Sequence, residues 1–394
     1  MRKVIFGEHE ADTLRQFEQC LAVGNVVGGV LCADGHYGYS QPVGGVVVYD
    51  GQVAPSGVGY DIACGNKAVK TNLLYRDIKD HMSTIMDEVE AKIPFGVGKT
   101  NPRRIDHELF DDDAWNVYKE FGKHEHDELK SLARKQLGTT GSGNHYVDIL
   151  IDQETEEVWI GNHFGSRGLG HKTATGFLNI AKGLNFADHA PRESMETPPT
   201  LFDMDSDIGQ MYFTAMELAG RYAYAGRDIV ADQVLDILGA DTVLEVHNHH
   251  NYAWKETHFE KEYVVVRKGA TPAAPGQLGF VGGSMGDISV ILQGVDSEKS
   301  QNAFYSTVHG AGRIMSRTKA AGRMNWRTRK RRGGAISEED MHRAIKKYGV
   351  ELRGAGPDES PFVYRKLQEV LDAHEGTIEV LHTLKPIGVV MASD

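Results

Sequence analysis

Short runs of β-branched residues closed by polar ones recur along the chain. GGVVVYD at 44–50 and TVLEVH at 242–247 are two of them. Such runs predict strands. The same pattern predicts strands at 66–74, 157–161, 262–269, 287–294 and 379–390. Apolar residues recurring every three to four positions predict helices near 9–23, 73–92, 112–136, 207–238, 337–348 and 361–374. The last opens on Pro361, where a helix tolerates proline. Strands and helices interleave without a steady strand–helix–strand rhythm. That predicts a mixed α+β architecture rather than a doubly wound sheet.

The stretch 186–200, with Pro191, Pro198 and Pro199, is the best loop candidate. It reads as an excursion rather than a boundary, because chemistry-bearing motifs lie on both sides of it, from residue 34 to residue 313. One integrated domain over residues 1–394 is therefore expected.

Composition narrows the class. The 394 residues suffice for a sizeable core without disulfide staples. The three cysteines, Cys20, Cys32 and Cys64, argue against a disulfide framework and leave a metal thiolate or a buried thiol. No apolar run approaches the roughly 20 residues of a membrane span. The N-terminus turns charged too early for a secretory signal. A cytoplasmic protein is expected, with no membrane partner.

The net charge of −12 argues against a general nucleic-acid coat. The stretch 313–332 runs against it, with Arg313, Arg317, Lys319, Arg323, Arg327, Arg329, Lys330, Arg331 and Arg332 and no acid. Such a local field suits a polyanion. A solvated surface helix is the plainer alternative.

Histidine and glycine cluster together. SGVGYDIACGNK (56–67) spaces Asp61 and Cys64 three apart among glycines that let both side chains converge. Thiolate beside carboxylate suits Zn, Mn, Fe or Co, although a buried structural cysteine explains the motif taken alone. GTTGSGNHYVD (138–148) sets Asn144 and His145 after a turn whose N–H groups can cradle phosphate. NHFGSRGLGH (162–171) offers His163 as a ligand and Arg167 as a phosphate fork, with His171 in a supporting place. VHNHHNYAWKETHF (246–259) offers His247, His249 and His250. Strand alternation puts the first two on one face and the third on the other, and spacing does not choose between them. GFVGGSMGDIS (279–289) is a further glycine turn, with Ser284 and Ser289 able to touch phosphate or base. HGAGR (309–313) places glycines beside His309. A neutral imidazole with room beside it can attack phosphorus, and Arg313 can balance the charge.

In this order, ADGHYGYSQPVGGV, GVGYDIACG, GTTGSGNH, HFGSRGLGH, HHN, RKGA, GSMG and HGAGR resemble the motifs of the RtcB family of GTP-dependent RNA ligases, over nearly the whole chain. The resemblance implies a single large mixed-sheet domain of the RtcB type. It implies joining of RNA 3′-phosphate or 2′,3′-cyclic phosphate ends to 5′-hydroxyl ends, with GTP and two Mn²⁺ ions. His309 would become guanylylated. Asp61, Cys64, His145, His163 and His250 would hold the metals, with Cys64 bridging; His250 is preferred because it directly precedes Asn251. Asn144, His145, Tyr146, Val147, Asp148, His250, Asn251, Gly282, Gly283, Ser284, Met285, Ser289, His309, Gly310, Ala311, Gly312 and Met391 would line the GTP pocket. Arg167, Lys268 and Arg313 would contact phosphate or RNA.

Three positions depart from the family pattern. Met391 stands where the family carries a lysine, Asp148 where it carries glutamate, and Gly282 where it carries proline. They bear on nucleotide affinity and base preference, not on the nucleophile or metal set. Two other readings compete: a metal-dependent phosphoesterase that trims RNA 3′ ends, and a non-catalytic RNA-binding scaffold.

Overall fold

The computed structural model describes residues 1–190, 194–325 and 330–393. Two sheets organise it. The larger runs in the order Leu278–Val281, Ser289–Gly294, Ile378–Met391, Tyr146–Asp152, Glu157–Phe164, Gly65–Leu74 and Thr242–His249, every neighbouring pair antiparallel. Glu351–Arg353 adds to the Ile378–Met391 strand in parallel. The sheet curls until its ends nearly meet. Asn248 of the last strand accepts from the Phe280 N–H at 3.1 Å, and Asn66 donates to the Phe280 carbonyl at 2.9 Å.

Side-chain alternation along these strands makes two cores. Ala68, Leu150, Trp159, Val246, Phe280, Ile291 and Leu384 fill the inside of the curl. Val69, Val147, Ile149, Val158, Ile160 and Val390 face outward and are covered by the helices Met82–Lys92 and Asp207–Leu238. The second sheet runs Arg2–Ile5, Val26–His36, Val43–Tyr49, Lys261–Lys268 and Asn251–His258; only its first pair is parallel.

The mixed α+β expectation holds, and the seven expected strands are all present. Several expected helices are broken. The 112–136 segment splits at Gly122, whose φ of +128° an L side chain rarely adopts, into Asp113–Phe121 and Lys123–Gln136. The 73–92 segment is Tyr75–Ile78, a single tight turn and Met82–Lys92. The 361–374 segment keeps only Leu367–Asp372 as α-helix.

The longest helix absent from the expected set is Arg167–Ala181. Gly168, Gly170 and Gly176 hide it in the sequence, because glycine is a poor helix former. Packing requires two of them: a Cβ at Gly170 would strike the Ser166 hydroxyl, and one at Gly176 the Phe186 ring. The 186–200 segment forms no helix or strand among its described residues, and Pro191 lies outside them.

Candidate active site

The curl brings the ends of distant strands together. Cys64 directly precedes Gly65–Leu74, and His145 directly precedes Tyr146–Asp152. His163 sits at the end of Glu157–Phe164, and His250 follows Thr242–His249. Cross-strand register aligns these ends, Gly65 facing both Phe164 and His249, and Tyr146 facing His163.

The predicted metal residues meet here as two donor groups. One is Asp61, Cys64 and His145, the other Cys64, His163 and His250, the ligand atoms of each lying within 4.8 Å of one another. Cys64 belongs to both. Its Sγ is 3.1 Å from His163 Nε2 and 3.7 Å from His145 Nε2, and His145 Nε2 is 3.0 Å from Asp61 Oδ2. His250 Nδ1 is buried with no hydrogen-bond partner among the described residues. An orphaned buried imidazole nitrogen beside a thiol and a second imidazole fits a borderline divalent cation.

The electrostatics agree with that fit. Burial holds the His163 and His250 imidazoles well below their ordinary range, so they stay neutral. Burial, and then Asp61, push the Cys64 thiol up. Burial would also raise Asp61, but His145 outweighs it and the carboxyl falls to about 2. A cation here would take the proton's place on Cys64.

His309 follows the Ser306–Val308 strand, its ring centroid 4.9 Å from that of His250. Asp34, fully buried in the Val26–His36 strand, holds it. Asp34 Oδ2 lies 2.6 Å from His309 Nδ1 and accepts the His309 N–H at 3.0 Å and the Gly310 N–H at 3.3 Å. Burial alone would raise Asp34, but His309 outweighs it and the carboxyl sits below its ordinary range. In the sequence Asp34 stands out only as part of the ADGHYGYSQPVGGV motif, with no role assigned to it.

The glycines around His309 act differently from the sequence reading. A Cβ at Gly269 would stand 3.1 Å from His309 Nδ1, so Gly269 makes room for the ring. Gly310 backs onto the Gly282 carbonyl, to which a Cβ would come within 3.3 Å. Gly312, at φ +73°, leaves no space for a Cβ against the Asp34 carbonyl.

A cavity of about 350 Å³ opens beside His309. Of the residues expected around a nucleotide, Asn144, Tyr146, Asp148, His250, Asn251, Gly282, Gly283, Ser284, Met285, His309, Gly310, Ala311, Gly312 and Met391 line it, as do Lys268 and Arg313. Val147 does not. Alternation turns it to the opposite face, into the core under the helices. Ser289 does not line it either; its hydroxyl accepts from the Gly283 N–H at 3.2 Å and shapes the turn. His145 reaches the cavity only through the metal group. Arg167 is turned away, its Nε donating to Thr139 Oγ1 at 3.2 Å and its Nη2 to the Gly96 carbonyl at 3.4 Å. Burial pushes the Asp148 carboxyl well up, and its Oδ1 has no hydrogen-bond partner among the described residues. His36, held neutral by burial at about 4, lines the cavity too.

The basic run proves partly compensated, contrary to the sequence reading. Asp358 and Glu359, from a short turn of helix, meet its first arginines. Arg313 Nη2 donates to the Asp358 carbonyl at 2.6 Å, Arg317 Nη1 lies 2.9 Å from Asp358 Oδ2, and Arg317 also pairs with Glu359. Arg327 and Arg329 lie outside the described residues.

Arg227, buried in the long Asp207–Leu238 helix, stands behind the metal groups. It donates to the carbonyls of Ala63 at 3.0 Å and Phe164 at 2.6 Å, to His247 Nε2 at 2.8 Å and to His249 Nδ1 at 2.9 Å. His247 and His249 thus serve as acceptors, while His250 faces the cavity.

Comparison with known proteins follows the same lines. A family model described as tRNA-splicing ligase RtcB matches residues 16–392. The RNA-splicing ligase RtcB of Escherichia coli K12 is 32% identical over 90% of this chain and 87% of its own length. The tRNA-splicing ligases RtcB of Methanococcus maripaludis and Thermococcus kodakarensis are 32% and 31% identical, each over 91% of this chain and 86% of its own length.

Proposed function

The chain belongs to the RtcB family of RNA-splicing ligases, and from that premise we propose that it joins RNA 3′-phosphate or 2′,3′-cyclic phosphate ends to 5′-hydroxyl ends through a guanylate carried on His309. GTP is the nucleotide, two Mn²⁺ ions are the metals, and residues 1–394 act as one domain in the cytoplasm. The reaction serves RNA repair or tRNA splicing. No helix among the described residues is long and apolar enough to cross a membrane.

The contact between Asp34 and His309 carries the reading. With Nδ1 committed to Asp34, the Nε2 lone pair is free to attack. The imidazole nitrogen bonds to the α-phosphorus, and pyrophosphate leaves with the electron pair of the broken P–O bond. The resulting imidazolium is stabilised by the carboxylate, which holds ring and tautomer without taking the proton. An oxygen of the RNA 3′-phosphate then takes the guanylate and His309 leaves. Last, the 5′-hydroxyl oxygen bonds to the activated phosphorus, GMP departs with the electron pair, and the hydroxyl proton passes to water. A cyclic phosphate is first opened by water.

Asp61, Cys64, His145, His163 and His250 would hold the two ions, which when bound neutralise phosphate charge and favour in-line displacement. Asn144, the Gly282–Met285 turn and Lys268 contact phosphates from the cavity wall. Arg313 reaches the RNA while tied to Asp358. Arg167 ties Thr139 to the Gly96 carbonyl rather than touching phosphate.

The alternative is a phosphoesterase that trims the 3′ end. Its motive is Met391, which lines the cavity without the charge of the family's lysine. Incubation of a 2′,3′-cyclic phosphate RNA and a 5′-hydroxyl RNA with the protein, GTP and Mn²⁺ separates the two. Joined product supports the ligase. A linear 3′-phosphate as sole product supports the phosphoesterase.

A further inference from the structure

Two imidazoles of the catalytic cavity are held by one residue. Asp34 holds His309 through its carboxylate, Oδ2 to Nδ1 at 2.6 Å, and His36 through its backbone carbonyl, 3.1 Å from His36 Nδ1. A carbonyl oxygen only accepts, so His36 Nδ1 carries the proton and Nε2 carries the lone pair. His36 ends the Val26–His36 strand opposite Val43, and both residues line the cavity. No hydrogen bond among the described residues engages His36 Nε2. Two free imidazole nitrogens therefore open on one cavity, and the ligase reading uses only that of His309.

The other groups on the cavity wall are poor proton acceptors. Asp61, Cys64, His163 and His250 supply the metal donor atoms. Glu359 is held by Arg313, Arg317 and Tyr364. Burial keeps the Asp148 carboxyl protonated, and Lys268 donates to the Tyr39 carbonyl. His36 stays neutral because burial holds it at about 4, aided by His309 and Arg365 and opposed by both the carbonyl and the charge of Asp34. Substrate phosphates bring negative charge into the cavity, which favours the imidazolium and lifts the ring toward the working range.

Sealing must shed a hydroxyl proton, and an alcohol attacks phosphorus far better when a positioned base removes it. We propose that His36 is the general base of the sealing step, its Nε2 taking the proton of the 5′-hydroxyl as that oxygen bonds to the activated phosphorus. The O–H bond breaks and an N–H bond forms. The electron pair of the oxygen makes the new P–O bond, and GMP leaves with the pair of the bond that breaks. The imidazolium, its Nδ1–H on the Asp34 carbonyl, then passes the proton to water. The role rests on the ligase reading, which supplies the hydroxyl.

The test isolates sealing by using an RNA whose 3′-phosphate already carries the guanylate. It is joined by the Mn²⁺-loaded protein to an RNA ending in a 5′-hydroxyl or, in parallel, in a 5′-thiol. A thiol ionises near pH 8.5, far below an alcohol, and has little need of a base. His36→Asn keeps an N–H for the Asp34 carbonyl and removes the free nitrogen. It should seal the 5′-hydroxyl RNA about 10²-fold or more slowly than the wild type. It should seal the 5′-thiol RNA at close to the wild-type rate. An unchanged rate with the hydroxyl, or an equal loss with both nucleophiles, overturns the proposal, the second result marking a structural role. Failure of the wild type to seal either RNA overturns the ligase reading itself.

Discussion

Asp34 Oδ2 and His309 Nδ1 lie 2.6 Å apart although 275 residues separate them in the chain. The contact fixes which imidazole nitrogen is free, and the same oxygen accepts two backbone N–H groups that set the turn. Asp34→Asn preserves size but alters the tautomer the ring prefers. Guanylylation of His309 should fall by about 10²–10⁴-fold, by analogy with other carboxylate–histidine pairs. The fold should be retained. The check is the rate of label transfer from GTP alongside an unchanged circular dichroism spectrum.

Cys64 is the residue common to both donor groups. Cys64→Ser should therefore weaken both metal positions, not one. Titration calorimetry with Mn²⁺ should show two equivalents for the wild type and at most one weak equivalent for the variant. His145→Ala should spare the group formed by Cys64, His163 and His250.

Arg227 ties the Asp61–Cys64 loop to the end of the His163 strand and to the run leading into His250. Arg227→Lys keeps the charge but supplies too few donors in the wrong directions. Mn²⁺ affinity should fall about 10–100-fold, the usual cost of disturbing the groups that orient metal ligands. The melting temperature should fall as well, because buried carbonyls lose their partners.

Burial lowers the Lys268 ammonium from its ordinary 10.5 to about 8. Folding therefore disfavours its charge. That penalty is complete below about pH 8 and is relieved as pH rises toward 10.5. Phosphate binding selects the charged form, so RNA affinity should weaken as pH rises through about 8. Lys268→Arg, charged throughout, should flatten that profile. Anisotropy at pH 7, 8 and 9 reads both.

What could be read from sequence follows from how local each signal is. The candidate metal residues announce themselves in short glycine-flanked motifs, and the strands beside them are rich in β-branched residues. The Arg167–Ala181 helix was hidden because its glycines answer to Ser166 and Phe186, contacts invisible to a local pattern. Arg227 acts through partners far along the chain, and nothing beside it shows it; Asp34 stands in a legible motif, but its partner His309 lies 275 positions away. The basic run looked unpaired because Asp358 and Glu359, which meet its first arginines, lie about forty residues further on. Val147 was placed in the pocket by reading a motif as a block, whereas a strand sends alternate residues to opposite faces.

The central claim is a covalent guanylate on His309. Wild-type protein is incubated with Mn²⁺ and GTP labelled at the α-phosphate, then denatured and resolved by electrophoresis, with ATP labelled likewise in parallel to address Met391. A label on the protein that acid removes, that is absent from His309→Ala and that is stronger with GTP than with ATP is the predicted result. Absence of label on the wild type at every Mn²⁺ concentration, or equal labelling of His309→Ala, would contradict the account.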